Sequence, residues 1–105
     1  MSILNLDRLF APRSLAVVGA SDRKGTVGAA VMQNLLEGGF AGKIYPINPR
    51  HPTIFGQKAY AKITGLPEAV DLVVIAVPIQ LVPELIAECA ATRVGGAVII
   101  SGGGK

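Results

Sequence analysis

The chain has 105 residues, 50% hydrophobic and only 16% charged, with a formal net charge of +3. That length allows one domain, spanning residues 1–105 and able to bury roughly 65% of its unfolded surface, and no apolar run approaches the ~20 residues needed to span a bilayer. A membrane helix is therefore excluded, the opening MSILNLDRLF lacks the basic stretch of a secretory signal, and the sole cysteine, Cys89, permits no internal disulfide and points to a cytoplasmic setting.

Residues 1–12 read as a short lead-in helix or arm, apolar at Leu4, Leu6, Leu9 and Phe10 and stopped by Pro12. A first strand follows over about 14–19, apolar without alternation at Leu15, Ala16, Val17 and Val18, as in a strand buried on both faces. Gly19, Gly25 and Gly28 let the backbone turn tightly. The pattern then switches to helical spacing, with Val27, Val31 and Leu35 at i, i+4 and i+8. Thr26 is the expected N-cap of this helix, and Gly38-Gly39 end it after Glu37.

The second strand is Lys43 to Ile47, closed by Asn48-Pro49-Arg50. Residues 51–70 are mixed, with breaks at Gly56, Gly65 and Pro67 and room for a short extended piece at 57–60. The strongest strand signal is Asp71 to Val77, a nearly continuous β-branched run before Pro78. A second long helix is expected over about 80–91, with Ile79, Val82, Leu85, Ile86 and Cys89 on one face and Pro83 tolerated in the first turn. A last strand, about 96–100, runs into Ser101-Gly102-Gly103-Gly104-Lys105.

Strand, helix, strand, repeated, predicts an α/β fold: a Rossmann-like, mostly parallel open sheet with flanking helices and right-handed crossovers. In such sheets ligands bind beyond the carboxyl ends of the strands. Those ends carry Gly19-Ala20-Ser21, Asn48-Pro49-Arg50, Val77-Pro78 and Ser101-Gly102, all turn, small or polar residues except Val77. The first turn aims backbone N–H groups and a helix dipole at one point, which suits a phosphate.

The glycine spacing is neither the dinucleotide fingerprint, because Ser21 stands where its second glycine belongs, nor a P-loop. Glycines in such a turn can be purely structural. Arg23 and Lys24 favour an anion, since a helix N-terminus by itself disfavours cations. Valine at Gly19 or Gly25 is then expected to crowd out the ligand while sparing most of the fold.

The positive charge is concentrated in the half that holds this turn. Residues 1–65 carry eight Lys/Arg against three Asp/Glu, whereas 66–105 carry two against four. Nucleic acid is not the expected partner, because the cations are scattered and no aromatic platform accompanies them.

In order along the chain, RLFAPRSLAVVGAS, GTVGAAVMQNLLEGGFAGKIYPINPRH, FGQKAY, LPEAVDLVVIAVP and GGAVIISGG resemble the coenzyme A-binding domain of the nucleoside-diphosphate-forming acyl-CoA synthetases. That superfamily includes the succinyl-CoA synthetase α subunit. The domain is also similar to one fused to protein lysine acetyltransferases, where it serves as a regulatory module, and to small stand-alone CoA-binding proteins.

The resemblance implies that coenzyme A lies across the strand ends. Gly19, Ala20, Ser21, Lys24 and Gly25 would hold phosphates, and Asn48, Pro49 and Arg50 the nucleotide end. Val77, Pro78, Ser101 and Gly102 would flank the pantetheine arm. The residues agree at the second strand: an NAD site wants an acid there, whereas Arg50 suits a phosphorylated ribose. The resemblance further implies an ADP-forming ligase, acetate–CoA ligase-like, of which this chain is an N-terminal piece. Its phosphorylated histidine, its ATP/ADP site and its magnesium would lie in other domains or a partner subunit, and the piece alone would catalyse nothing.

No catalytic or metal-binding set is visible. His51 reads as a solvated loop residue ahead of Pro52, and Cys89 as a buried structural thiol. Asp71 reads as a turn or cap residue at a strand start. Tyr45 and Tyr60 either pack on the core or stack on adenine.

Overall fold

In a computed structural model that describes residues 12–100, every strand and both long helices expected within that range are present. The arm expected at the N-terminus falls almost wholly outside the described residues. β1 (Ser14–Val18) leads to α1 (Val27–Glu37) and β2 (Lys43–Ile47), followed by a hairpin of β3 (Thr53–Ile54) and β4 (Gln57–Lys58). A 3₁₀ turn at Ile63–Gly65 precedes β5 (Leu72–Ile75), and another at Ile79–Leu81 runs into α2 (Val82–Ala91), after which β6 (Gly96–Ile99) closes the order.

The main sheet is ordered β2-β1-β5-β6 and every pairing in it is parallel. Val18 lies opposite Ile47 on one side and Ile75 on the other, so three strand ends finish level. From the central pair β1 and β5 the chain winds outward in both directions, which opens a crevice at their carboxyl ends.

Alternate strand residues face opposite ways, and the two cores follow from that. Leu15, Val17, Leu72 and Val74 meet Met32 of α1 on one face. Ala16, Val18, Val73 and Ile75 meet Val82 and Cys89 of α2 on the other. The helices therefore cover opposite faces of one sheet.

Local signals set the helix ends. Thr26 is extended (φ −91°, ψ 154°) and its hydroxyl oxygen accepts from the Ala29 amide at 3.2 Å, capping α1. Gly39 at φ +73° ends the same helix.

The buried stripes differ from those read off the sequence. In α1 the deep positions are Gly28, Ala29 and Met32, while Val27, Val31 and Leu35 are half-buried, because the small residues let the helix axis approach β1. In α2, Val82 and Cys89 are buried and Leu85 half-buried, but Ile79 is 61% and Ile86 41% exposed. Ile79 belongs to a 3₁₀ turn with its own period, so it does not continue the α-helical stripe. Val98 and Ile99 on the edge strand β6 are also exposed.

The expected extended piece at 57–60 is one strand of the β3–β4 hairpin, joined by Phe55 (φ 50°) and Gly56 (φ 76°). Phe-Gly is an unusual two-residue turn, and so the hairpin was not legible as one. Beyond it Tyr60 bridges to Ile47, its amide donating to the Pro46 carbonyl at 2.9 Å and its carbonyl accepting from the Asn48 amide at 2.8 Å. Residues 60–62 are thereby carried to the end of β2.

Tyr45 and Tyr60 pack edge to face, with ring centroids 5.7 Å apart. The buried Tyr45 hydroxyl donates to Glu68, and that hydrogen bond, aided by burial, pushes its pKa from 10.0 up to about 12. The folded chain thus holds this proton more tightly than the unfolded one. The resulting stability is complete below pH 10 and is lost as the pH rises toward 12. Melting temperatures measured across that window should fall more steeply for the wild type than for Tyr45→Phe, and parallel slopes would refute the Glu68 contact.

Just ahead of β1 and β5, the Asp71 carboxylate accepts from the Arg13 amide at 2.8 Å, which ties together two segments 58 residues apart in sequence. No helix among the described residues is long and apolar enough to cross a membrane, and no group of His, Cys, Asp or Glu among them could hold a metal ion.

Candidate functional site

Gly19 ends β1 between two neighbouring strands. Its amide donates to the Ile47 carbonyl at 3.2 Å, while the Ala76 amide donates to the Val18 carbonyl at 2.8 Å. At φ +87° a β-carbon here would sit 2.4 Å from the Ala76 carbonyl oxygen. One on Gly28, in the first turn of α1, would sit 1.9 Å from the Gly19 carbonyl oxygen. Gly28 therefore sets how closely α1 approaches the end of β1, and Gly19 how closely the end of β1 approaches the backbone after β5. Gly25 differs: φ is +91°, but nothing lies within 4 Å of an added β-carbon. The expectation that valine at Gly19 would spare the fold is therefore corrected, since the side chain would meet protein backbone whether or not a ligand is bound.

The rest of the turn is held by its own side chains. The Ser21 hydroxyl accepts from the Arg23 amide at 2.9 Å, and the Thr26 hydroxyl donates to the Arg23 carbonyl at 2.8 Å. The Asn48 side chain ties this turn to the loop after β2. Its Nδ2 donates to the Ala20 carbonyl at 2.9 Å, and its Oδ1 accepts from the Arg50 amide at 2.7 Å. Asn48 thus holds two loops at a fixed separation, a role that sequence spacing did not suggest.

Between those loops and α2 lies a cavity of about 520 Å³. Of the residues expected at a site, Gly19, Ala20, Ser21, Asn48, Pro49, Arg50 and Val77 line it. Lys24, Gly25 and Pro78 do not. Ser101 and Gly102 lie outside the described residues. His51 is exposed and away from the lining, and neither tyrosine reaches it. Lys58 Nζ sits over the Tyr60 ring, 5.1 Å from its centre, so that ring meets Tyr45 and a lysine ammonium.

Eight lining residues were missed, among them Val18 and Ile47, read only as strand residues. Ala61 and Lys62 arrive through the Tyr60 bridge, from a segment without periodicity. Leu81 comes from the 3₁₀ turn that runs into α2, and Glu84, Leu85 and Glu88 from α2 itself; their spacing of three and four was the signal available. Val18, Ile47, Val77, Leu81 and Leu85 make much of the lining apolar. Charge enters in two pairs, Arg50 with Lys62 and Glu84 with Glu88, and among the described residues none of the four is ion-paired. Cys89, next along α2, is buried, and burial first and Glu88 second push its thiol pKa up, which disfavours the thiolate.

The family model for CoA binding domains matches residues 13–104. The chain is 47% identical over 97% of its length to an ADP-forming acetate–CoA ligase II of Archaeoglobus fulgidus, and 48% identical over 88% to an ADP-forming acetate–CoA ligase of Methanocaldococcus jannaschii. It spans only 15% and 13% of those relatives' lengths. Among solved structures, 91% of the chain superimposes on the dinucleotide-forming acetyl-coenzyme A synthetase 1 of Ca. Korarchaeum cryptofilum, in complex with phosphate and ADP. That match has a TM-score of 0.88 at 44% identity and covers 21% of the larger chain. A conserved hypothetical protein of Pyrococcus furiosus matches at TM-score 0.76 and 28% identity, and there 84% of this chain covers 74% of the other.

Proposed function

Because this chain belongs to the CoA binding domain family, we propose that its cavity takes the 3′-phosphoadenosine end of coenzyme A on behalf of an ADP-forming acyl-CoA synthetase. The observation that carries this reading is the cavity itself: an apolar slot at level strand ends, with Arg50 and Lys62 in its lining. An adenine ring supplies two apolar faces, and a phosphorylated ribose supplies the anion that two cations would hold. An NAD site would instead place an acid at the end of β2 to bond the ribose hydroxyls.

From the nucleotide end the cofactor runs across the crevice. Its diphosphate lies at Gly19, Ala20 and Ser21, near the positive end of the α1 dipole, with Lys24 and Gly25 beside it in the turn. The pantetheine arm leaves past Val77 and Pro78. The domain contributes position: it holds the thiol end of coenzyme A where an acyl group can be transferred, which replaces a bimolecular encounter by a local one. Carboxylate activation, ATP/ADP and magnesium belong to other domains or a partner subunit of the parent enzyme, working in the cytoplasm. The acetate–CoA ligase relatives support that parent over an acetyltransferase.

Titration calorimetry tests the ligand directly. Coenzyme A should bind at least about tenfold more tightly than NADH, the margin that one well-formed charge-assisted phosphate contact supplies. Tighter binding of NADH would overturn the assignment.

A further inference from the structure

Two loops of the cavity face the two anionic parts of the proposed ligand, and one side chain joins them. Asn48 Nδ2 donates to the Ala20 carbonyl, in the turn after β1, at 2.9 Å, while its Oδ1 accepts from the Arg50 amide at 2.7 Å. Both bonds hold in only one orientation of the amide, since the flipped group would set an acceptor against a carbonyl and a donor against an N–H. Aspartate has no donor at neutral pH, and serine has a single short arm, so neither bridges the same two groups.

The loops differ in how far they depend on this side chain. The turn after β1 has bonds of its own, from the Gly19 amide to Ile47, from the Arg23 amide to Ser21 and from the Thr26 hydroxyl to Arg23. The loop after β2 hangs from Asn48. The Asn48 amide donates to the Tyr60 carbonyl at 2.8 Å, its side chain makes the two bonds above, and Pro49 stiffens the step to Arg50. Arg50 itself is exposed, so its backbone is placed by Asn48 and not by packing of its own side chain.

We propose that Asn48 is a positioning residue for the 3′-phosphate: it hangs Arg50 from the diphosphate turn, so that one ligand meets both. The proposal rests on the reading that the cavity takes the nucleotide end of coenzyme A. Asn48 then acts through Arg50, and a ligand without the 3′-phosphate is nearly indifferent to it.

Calorimetry with coenzyme A and dephospho-coenzyme A reads this as a ratio. The wild-type chain should prefer coenzyme A about a hundredfold and Asn48→Ala about tenfold, the share left to Lys62, with dephospho-coenzyme A binding changed by no more than about twofold. Because one residue acts through the other, Asn48→Ala/Arg50→Ala should keep the same preference, about tenfold, as either single variant. A fall to about onefold in the double variant would mean that Asn48 touches the phosphate itself, and the proposal falls. Equal weakening of both ligands by Asn48→Ala, or an unchanged ratio, overturns it as well. Should circular dichroism show Asn48→Ala unfolded, Asn48→Ser carries the same comparison, since it keeps an acceptor near the Arg50 amide without the reach to Ala20; its ratio should lie between about tenfold and a hundredfold. A wild type that binds coenzyme A and dephospho-coenzyme A equally removes the 3′-phosphate from this cavity, which overturns the cofactor reading and the proposal with it.

Discussion

Gly28→Ala should cost at least about 3 kcal/mol of folding stability, a large part of the 5–15 kcal/mol typical of a domain. The new β-carbon would stand 1.9 Å from the Gly19 carbonyl oxygen, and backbone on both sides leaves no flexible side chain to yield. Relief requires α1 to lift from β1, which opens the packing of Met32 against Leu15 and Val17. Gly19→Ala should cost a similar amount, because left-handed backbone strain adds to a 2.4 Å contact with Ala76. Gly25→Ala is the control: it has equal backbone strain but open space, so a loss of about 1–2 kcal/mol is expected. Urea titration followed by circular dichroism measures all three. A Gly28→Ala protein as stable as Gly25→Ala would mean that the helix shifts freely and that the close approach is no constraint.

Three glycines in a strand-to-helix turn all look, in the sequence, like room for a phosphate. Two of them are required by packing, Gly28 by the contact of α1 with the end of β1 and Gly19 by the contact of that end with Ala76 after β5, so their functional meaning is indirect: they draw the α1 N-terminus and the strand ends together. Gly25 and Lys24 stand outside the cavity lining. Sequence pattern reports which positions lack a side chain, and only packing says what occupies the space.

The sheet was legible for a different reason. β1 and β5 are buried on both faces, so burial imposes continuous apolar runs that a half-exposed strand or a surface loop would not carry. β2 was marked by the turn residues after it. The hairpin and Lys62 were not legible, because two-residue strands carry no period and because a backbone bridge from Ile47 to Tyr60, with no side-chain signature, places that segment. The α2 contribution was misread through its own regularity. The helix was treated as having one apolar face, whereas Val82 and Cys89 serve the core, Leu85 meets both core and cavity, and Glu84 and Glu88, with Leu81 from the turn before the helix, line the cavity.

Lys62 therefore provides the sharpest test of the proposed cofactor site, since the sequence pattern pointed to Lys24 and Arg50 and not to this lysine. If both cations hold the ribose 3′-phosphate, each contact contributes about 1.5 kcal/mol, the low end for a charged hydrogen bond because both side chains are exposed. Arg50→Ala and Lys62→Ala should each weaken coenzyme A binding about tenfold, and the double variant about a hundredfold. Neither residue touches the core, so the fold should be unaffected. Dephospho-coenzyme A, lacking the 3′-phosphate, should bind the wild type about as weakly as coenzyme A binds the double variant, and should be nearly indifferent to either substitution. Raising the salt concentration should shrink the difference between the two ligands, because exposed ion pairs are screened. An equal loss for both ligands in Lys62→Ala would move that lysine to the diphosphate or to the general field of the cavity. Unchanged coenzyme A binding in the double variant would remove the nucleotide end from this cavity altogether.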